Sequence, residues 1–304
     1  MNKMYREILM NSQFVTDSTY YFGWESSRIS GWVNSIAQSL ETRNDWRINN
    51  ILNLNQQFGL KALKGEGGTV LEAGFGTGSL TISARLRGIN IDGIDYTPGY
   101  VTLARQLASI AGFPEKEIYS SLQHGDIKDL QYPDNYFSMI TCHGVLAYID
   151  NIFAAIREFM RVLMPGGLLF LNSVDHRFPH ESQYDIPYLP FMKRKLFEIW
   201  LKVLDKPLYG LDIIPGYISL PAFLGMAKSV GFDFINAKLT YPETKIESEI
   251  HKITNNTRIH YLDSDPGKIY LLAKKVKEEE IKTEGSTFIV LCQKPLEKVY
   301  PKSL

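Results

Sequence analysis

The chain has 304 residues, with 33 lysines and arginines against 33 aspartates and glutamates, and a formal net charge of zero. That balance argues against a surface that tracks phosphate backbones, which needs a clustered basic excess, so no nucleic-acid partner is expected. The hydrophobic content of 44% suits a chain that buries a sizeable core. No stretch reaches the ~18 apolar residues of a membrane span. The two cysteines, Cys142 and Cys292, imply no disulfide framework. The first residues carry charge and no long apolar run, so no signal peptide is expected, and the cytoplasm is the expected location.

Residues 1–64 read as mostly helical. Ile29, Trp32, Val33, Ile36, Ala37 and Leu40 make one amphipathic stripe, and Ile48, Ile51, Leu52, Leu54 and Phe58 another. Between the chain start and these stripes lies an aromatic run, Thr19-Tyr20-Tyr21-Phe22-Gly23-Trp24-Glu25. Gly65-Glu66-Gly67-Gly68 breaks the pattern before the first strand.

Thr69-Val70-Leu71 then runs into the acid Glu72, and Gly74, Gly76 and Gly78 follow at alternate positions before Ser79-Leu80-Thr81-Ile82 opens a helical pattern. A strand, a tight turn and a helix start are expected there. Glycine allows the turn positive φ and lets a ligand approach without meeting a Cβ. The helix N-terminus offers free N–H groups to a polar ligand. The spacing is G-x-G-x-G, and Ser79 stands where a dinucleotide fingerprint places its third glycine. Glu72 would also repel a pyrophosphate but attract an ammonium group.

Ile91 to Asp95 reads as a second buried strand ending in an acid. Asp95 lies at the offset from the turn at which a carboxylate reaches ribose hydroxyls in βαβ sites. Thr97 as N-cap and Pro98 at the first helical position start the next helix. A third strand is expected over Ile118 to Gln123, followed by Gly125-Asp126-Ile127. Phe137 to Cys142 reads as a fourth strand, with His143 directly after it. Leu163-Met164-Pro165-Gly166-Gly167 turns into a fifth strand ending near Asn172.

In this ordered set the chain resembles the class I S-adenosylmethionine-dependent methyltransferases, whose first motif is E/D-x-G-x-G-x-G and which carry an L-x-P-G-G landmark. The resemblance covers roughly residues 65 to 240 and a last strand near 286 to 294. It implies an α/β, Rossmann-like doubly wound sheet of seven strands, mostly parallel with the last antiparallel, over residues 65–304. Residues 1–64 would be a helical cover. Residues 175–221, rich in proline and aromatics, would be a lid insertion above the carboxyl ends of the strands. Met192 to Leu204 is expected as a helix within it, and Leu220 to Val230 as the last crossover helix. Residues 241–285, which include the charged run Lys274 to Glu280, are an unusual insertion where the family has a short hairpin.

The resemblance further implies S-adenosylmethionine as cofactor and S-adenosylhomocysteine as product. Glu72, Gly74, Gly76, Thr77 and Gly78 would hold the methionine part, Asp95 and Tyr96 the ribose side, and Asp126 with Ile127 the adenine. Cys142 and His143 would line the cofactor from the fourth strand. His143 and His176 are candidate bases or acceptor-orienting groups; Asp175 and His180 share that side. Tyr21 is a third catalytic candidate. The run from Tyr20 to Trp24 loosely resembles the Tyr-x-x-Gly-Trp stretch of sterol and related carbon methyltransferases, whose ring faces attract cations. A staple that docks the first helices is the plainer reading of the same residues.

The Asn/Asp-Pro-Pro-aromatic motif of DNA and glutamine N-methyltransferases is absent after the fourth strand, and no catalytic metal is expected. The expected activity is methyl transfer to a small, apolar or aromatic metabolite at O, N or C, in a secondary-metabolic setting. An RNA or protein methyltransferase stays open, as does a S-adenosylmethionine-binding cyclase or regulatory protein. So does homo-oligomerisation.

Overall fold

The computed structural model describes residues 2–174, 180–181, 183–187, 189, 192–215, 218–234, 283–284 and 287–294. Four helices come first: α1 (Asn2–Met10), α2 (Gln13–Phe22), α3 (Ser26–Thr42) and α4 (Trp46–Phe58). Helices α2 and α4 stop at Gly23 and Gly59, both left-handed at φ 63°, the backbone state that glycine reaches most cheaply. Helix α4 starts on Asp45, whose carboxylate accepts from the Arg47 N–H at 2.8 Å.

Strands and helices then alternate: β1 (Val70–Ala73), α5 (Ser79–Leu86), β2 (Ile91–Asp95), α6 (Pro98–Ile110), α7 (Glu115–Ser121), β3 (Leu122–His124) and β4 (Phe137–His143). A 3-10 turn over Leu146–Tyr148 leads to α8 (Ile152–Val162) and β5 (Leu163–Val174). A small hairpin, β6 (His180–Glu181) with β7 (Ile186–Pro187), precedes α9 (Arg194–Val203), α10 (Gly210–Ile213) and α11 (Leu220–Ser229). The described chain ends with β8 (Asp233–Phe234), β9 (Thr283–Glu284) and β10 (Thr287–Gln293).

The sheet runs β3-β2-β1-β4-β5-β10, five strands parallel and β10 antiparallel to β5. Among the described residues these six strands have three residues or more, one fewer than the expected seven. The two-residue strands β8 and β9 both pair antiparallel with β10 and bring the total to eight. The third strand is also shorter than predicted. Residues 115–121 are the helix α7, helped by Glu115 and Glu117 in its first turn, where acids favour a helix. Only Leu122–His124 pairs with β2.

All four β1 side chains are buried, Glu72 among them, because helices cover the central strands on both faces. Ile48, Ile51 and Leu54 of α4 belong to the same core as these strands. A second core unites α1, α2 and α3 with α6, α9 and α10, through residues such as Tyr5, Phe22, Leu107, Tyr184, Phe197 and Leu211. At Gly210 a Cβ would come within 2.3 Å of the Tyr184 hydroxyl and 2.8 Å of the Tyr21 carbonyl oxygen. The α10 backbone therefore lies flush against the end of α2. Cys142 and Cys292 are buried in β4 and β10 and are not joined in a disulfide. No helix of the described residues is long and apolar enough to cross a membrane. Most of the insertion at 241–285 lies outside the described residues, including the charged run 274–280.

Candidate active site

The three glycines of the turn all take positive φ: 78° at Gly74, 53° at Gly76 and 73° at Gly78. Their surroundings differ. A Cβ on Gly74 would meet the Val145 side chain at 2.5 Å, and one on Gly78 would meet Ala104 of α6 at 2.6 Å. A Cβ on Gly76 would meet nothing within 4 Å. The outer two glycines thus let β1, α5 and α6 close on one another, and the middle one faces open space.

Asp95, at the end of β2, fixes this turn. Its Oδ2 accepts from the Gly76 N–H at 2.8 Å and its Oδ1 from the Thr97 N–H at 2.9 Å. One carboxylate therefore ties the glycine turn to the start of α6. The expected Thr97 cap differs in detail: Thr97 stands at the N-cap, but its side chain makes no capping bond. Burial raises the Asp95 carboxyl above its ordinary range, and the two backbone donors oppose that rise. Thr77 is buried in the turn.

Glu72 is 3% exposed. Its Oε2 accepts from the Thr81 N–H at 2.9 Å and from the Thr81 hydroxyl at 2.6 Å. Its Oε1 faces Arg47 Nη1 at 3.9 Å. Burial pushes the Glu72 carboxyl up to about 7, against the pull of Arg47 and Thr81. Arg47 comes from the first turn of α4 and is clamped by Asp45, with Nη2–Oδ2 at 2.6 Å and Nε–Oδ1 at 3.0 Å. Burial works against both charges; the bidentate pairing outweighs it, so Arg47 stays high and Asp45 low. No glycine or strand signal marks Asp45 and Arg47 in sequence. Their only trace is the Asp-x-Arg start of an amphipathic stripe.

His143 ends β4. One ring nitrogen, Nε2, is hydrogen-bonded with the Thr141 hydroxyl, and the other, Nδ1, is buried with no partner among the described residues. Its ring packs edge-on against Trp46 of α4, with centroids 5.6 Å apart, and Phe170 of β5, at 4.8 Å. Burial, aided by the Arg47 cation, pushes the imidazole down to about 3, so it is neutral at ordinary pH. Asn172, opposite on β5, accepts from the Gly144 N–H at 2.9 Å and holds the turn after His143.

The remaining predicted residues fall into three groups. The Asp126 Oδ1 accepts from the Lys128 N–H at 2.8 Å; Ile127 is buried beside it, and Tyr96 is 70% exposed with its ring stacked near His124. These three border the turn from β2 and β3. Cys142 points into the core, where burial raises its thiol, so its side chain does not line the open space. Tyr21 packs against Tyr20 and Phe22 in the core that the first helices share with α9 and α10, not in the group around His143. Trp24 is likewise committed: Arg28 sits 3.9 Å above its ring, and its Nε1–H donates to the Gln183 carbonyl at 2.6 Å. Of the two readings of this aromatic run, the staple is the one the contacts support. His176 and Asp175 lie outside the described residues. Among the described residues no cluster of three or more metal-ligating side chains occurs.

One group was not visible in sequence. Burial and the facing carboxylate of Asp17 on α2 raise the Tyr100 hydroxyl at the start of α6. Burial and Glu181 of β6, with Asp17, raise that of Tyr148 after β4. Both phenols stay protonated, and that of Tyr100 is hydrogen-bonded with the Asp17 carboxylate.

Residues 71–171 match the family model of the methyltransferase domain. These residues are a methyltransferase domain of the class I S-adenosylmethionine-dependent type. The cofactor is S-adenosylmethionine. The chain is similar to the ubiquinone/menaquinone biosynthesis C-methyltransferase of Vibrio cholerae, 28% identical over 74% of this chain and 90% of that protein. A demethylmenaquinone methyltransferase of Deinococcus radiodurans is 34% identical over 34% of this chain and 41% of its own length. Among solved structures, a methyltransferase from Galdieria sulphuraria matches 97% of this chain and 98% of that one with a TM-score of 0.51 at 12% identity, which shows the shared fold.

The methyltransferase site fits its cofactor. The middle of the turn is open, a buried carboxylate and a clamped cation stand side by side, and a second carboxylate closes the end of β2.

Proposed function

We propose that this methyltransferase acts on a small, apolar or aromatic metabolite, at a ring carbon of a quinone-type acceptor in its reduced, phenolic form. The observation that carries the reading is the juxtaposition of Arg47, Glu72 and the neutral His143 between α4, β1 and β4. When bound, S-adenosylmethionine supplies an electrophilic sulfonium methyl group; the protein supplies position, desolvation and charge control. Glu72 takes the ammonium of the methionine part, and Arg47 Nη1, which makes no hydrogen bond among the described residues, takes its carboxylate. Asp95 takes the ribose hydroxyls. Asp126 and Ile127, with Tyr96 beside them, take the adenine.

His143, beside Asn172, orients the acceptor through Nδ1, which has no close hydrogen-bond partner among the described residues. A ring held neutral down to about pH 3 is a weak base, so its role is a hydrogen bond to the acceptor oxygen and not full proton removal. Trp46 and Phe170 flank it and offer an apolar wall. Pockets of this kind suit largely apolar ligands with few polar anchors. The first helices and the lid cover the acceptor. A carbon acceptor on a quinone-type ring follows the printed activities of the relatives.

The test is calorimetric binding of S-adenosylmethionine, S-adenosylhomocysteine and NAD, then an acceptor screen that reads release of S-adenosylhomocysteine. Binding of the first two without NAD, and turnover with reduced naphthoquinones or related phenols, supports the reading. Turnover confined to amines, peptides or RNA overturns it.

A further inference from the structure

Helix α9 is apolar on two faces. Phe197 and Leu201 point into the core shared with the first helices. Leu196, Ile199 and Val203 stand on the other side and are 56%, 57% and 67% exposed. At about 100° per residue these three fall on one narrow arc, with the half-buried Trp200 beside them. Solvent-facing helix positions are ordinarily polar, and an exposed apolar stripe of this length marks a contact surface. The flanks are basic. The same angular spacing puts Lys195 and Lys202 along one edge of the stripe, and Lys193 stands at the N-cap just before it; all three are exposed. Leu189, 68% exposed, extends the apolar surface just before the helix.

We propose that α9 docks this methyltransferase on an anionic lipid surface. The stripe and its lysine borders have the composition of a helix that lies in the membrane interface, apolar side chains among the acyl chains and lysines reaching the headgroups. Charge complementarity selects lipid over a second copy of the chain: a self-contact would bring these lysine borders together, whereas anionic headgroups satisfy them. The purpose rests on the proposed apolar acceptor, since such a molecule partitions into the bilayer and α9 belongs to the lid that would admit it.

The test is flotation of the full chain with vesicles of phosphatidylcholine alone or mixed with phosphatidylglycerol, without any acceptor. Co-flotation with the mixed vesicles, lost at high salt, is the expected result. The double variant Ile199→Glu with Val203→Glu should lower the bound fraction at least tenfold while S-adenosylmethionine binding stays unchanged. Lys195→Gln and Lys202→Gln should each weaken binding about fivefold. Absence of flotation, or equal flotation of the double variant, overturns the proposal. So does a concentration-dependent dimer in sedimentation that the same double variant abolishes without any lipid effect. None of these outcomes touches the acceptor reading, which turnover measures separately.

Discussion

Arg47 Nη1 stands 3.9 Å from Glu72 Oε1, and these two residues come from different parts of the chain: one lies in the first turn of the last helix before the sheet, the other inside the first strand, one residue before its end. In the proposed site, helix α4 thus supplies the cation at the methionine end. Arg47→Met removes the cation but keeps most of the stem, and Asp45 still caps the helix. A lost charge-assisted bond of about 1.5–3 kcal/mol corresponds to roughly ten- to more than a hundredfold weaker S-adenosylmethionine binding. Calorimetry at pH 7.5 reads it. An unchanged affinity would mean that Arg47 only neutralises Glu72.

The same pair predicts a pH dependence. Glu72 titrates at about 7 in the folded protein, and only its ionised form attracts the cofactor ammonium. Affinity for S-adenosylmethionine should therefore rise about eightfold from pH 6 to 7.5 as that form grows. Stability without ligand should move the other way. A carboxyl raised in the folded state stabilises below its unfolded value of 4.5, and that contribution is lost as pH climbs to about 7. Glu72→Gln should flatten both curves, in calorimetry and in thermal melts. His143 has the opposite sign. Held down near 3, it contributes stability above its ordinary 6.5 that is lost as pH falls toward 3. His143→Gln should reduce that acid sensitivity.

Asp95 holds two backbone N–H groups across the turn, from Gly76 and Thr97. Asp95→Ala should weaken cofactor binding at least about tenfold and lower the melting temperature, since both donors lose a charged acceptor. Asp95→Asn keeps one acceptor oxygen and should recover part of the stability but little of the affinity. Equal affinity in the alanine variant would remove Asp95 from the ribose site.

The central signals were legible because their chemistry is local. Glycines at alternate positions after a buried strand and an acid at the end of β2 each announce their geometry in a few residues, whereas Pro165-Gly166-Gly167, read as a turn ahead of the fifth strand, lies inside β5 where its register against β4 shifts. The third strand was misplaced because Ile118 and Tyr119 look β-like on their own, whereas Glu115 and Glu117 favour the helix that forms. Arg47 was missed because only tertiary packing of α4 on the sheet brings it to Glu72. Tyr20, Tyr21 and Trp24 were visible as an unusual aromatic run, but partners far along the chain decided their use: Tyr209 stacks on Tyr20 at 4.6 Å, and Gln183 accepts from Trp24.

Alanine substitutions along the turn separate folding from binding. At Gly74 and Gly78 an added Cβ collides with Val145 or Ala104 at 2.5–2.6 Å, on top of the positive φ. Overpacking of this kind costs about 1–3 kcal/mol, so both variants should melt early. At Gly76 the only cost within the protein is φ 53°, about 1–2 kcal/mol, because the new methyl meets no neighbour within 4 Å. Gly76→Ala should therefore fold with a modest loss of melting temperature yet bind S-adenosylmethionine far more weakly, since its methyl enters the space that the cofactor needs. Thermal melts with and without S-adenosylhomocysteine distinguish the cases: ligand should raise the melting temperature of the wild type and leave Gly76→Ala nearly unmoved. A full ligand-induced shift in that variant would place the cofactor elsewhere.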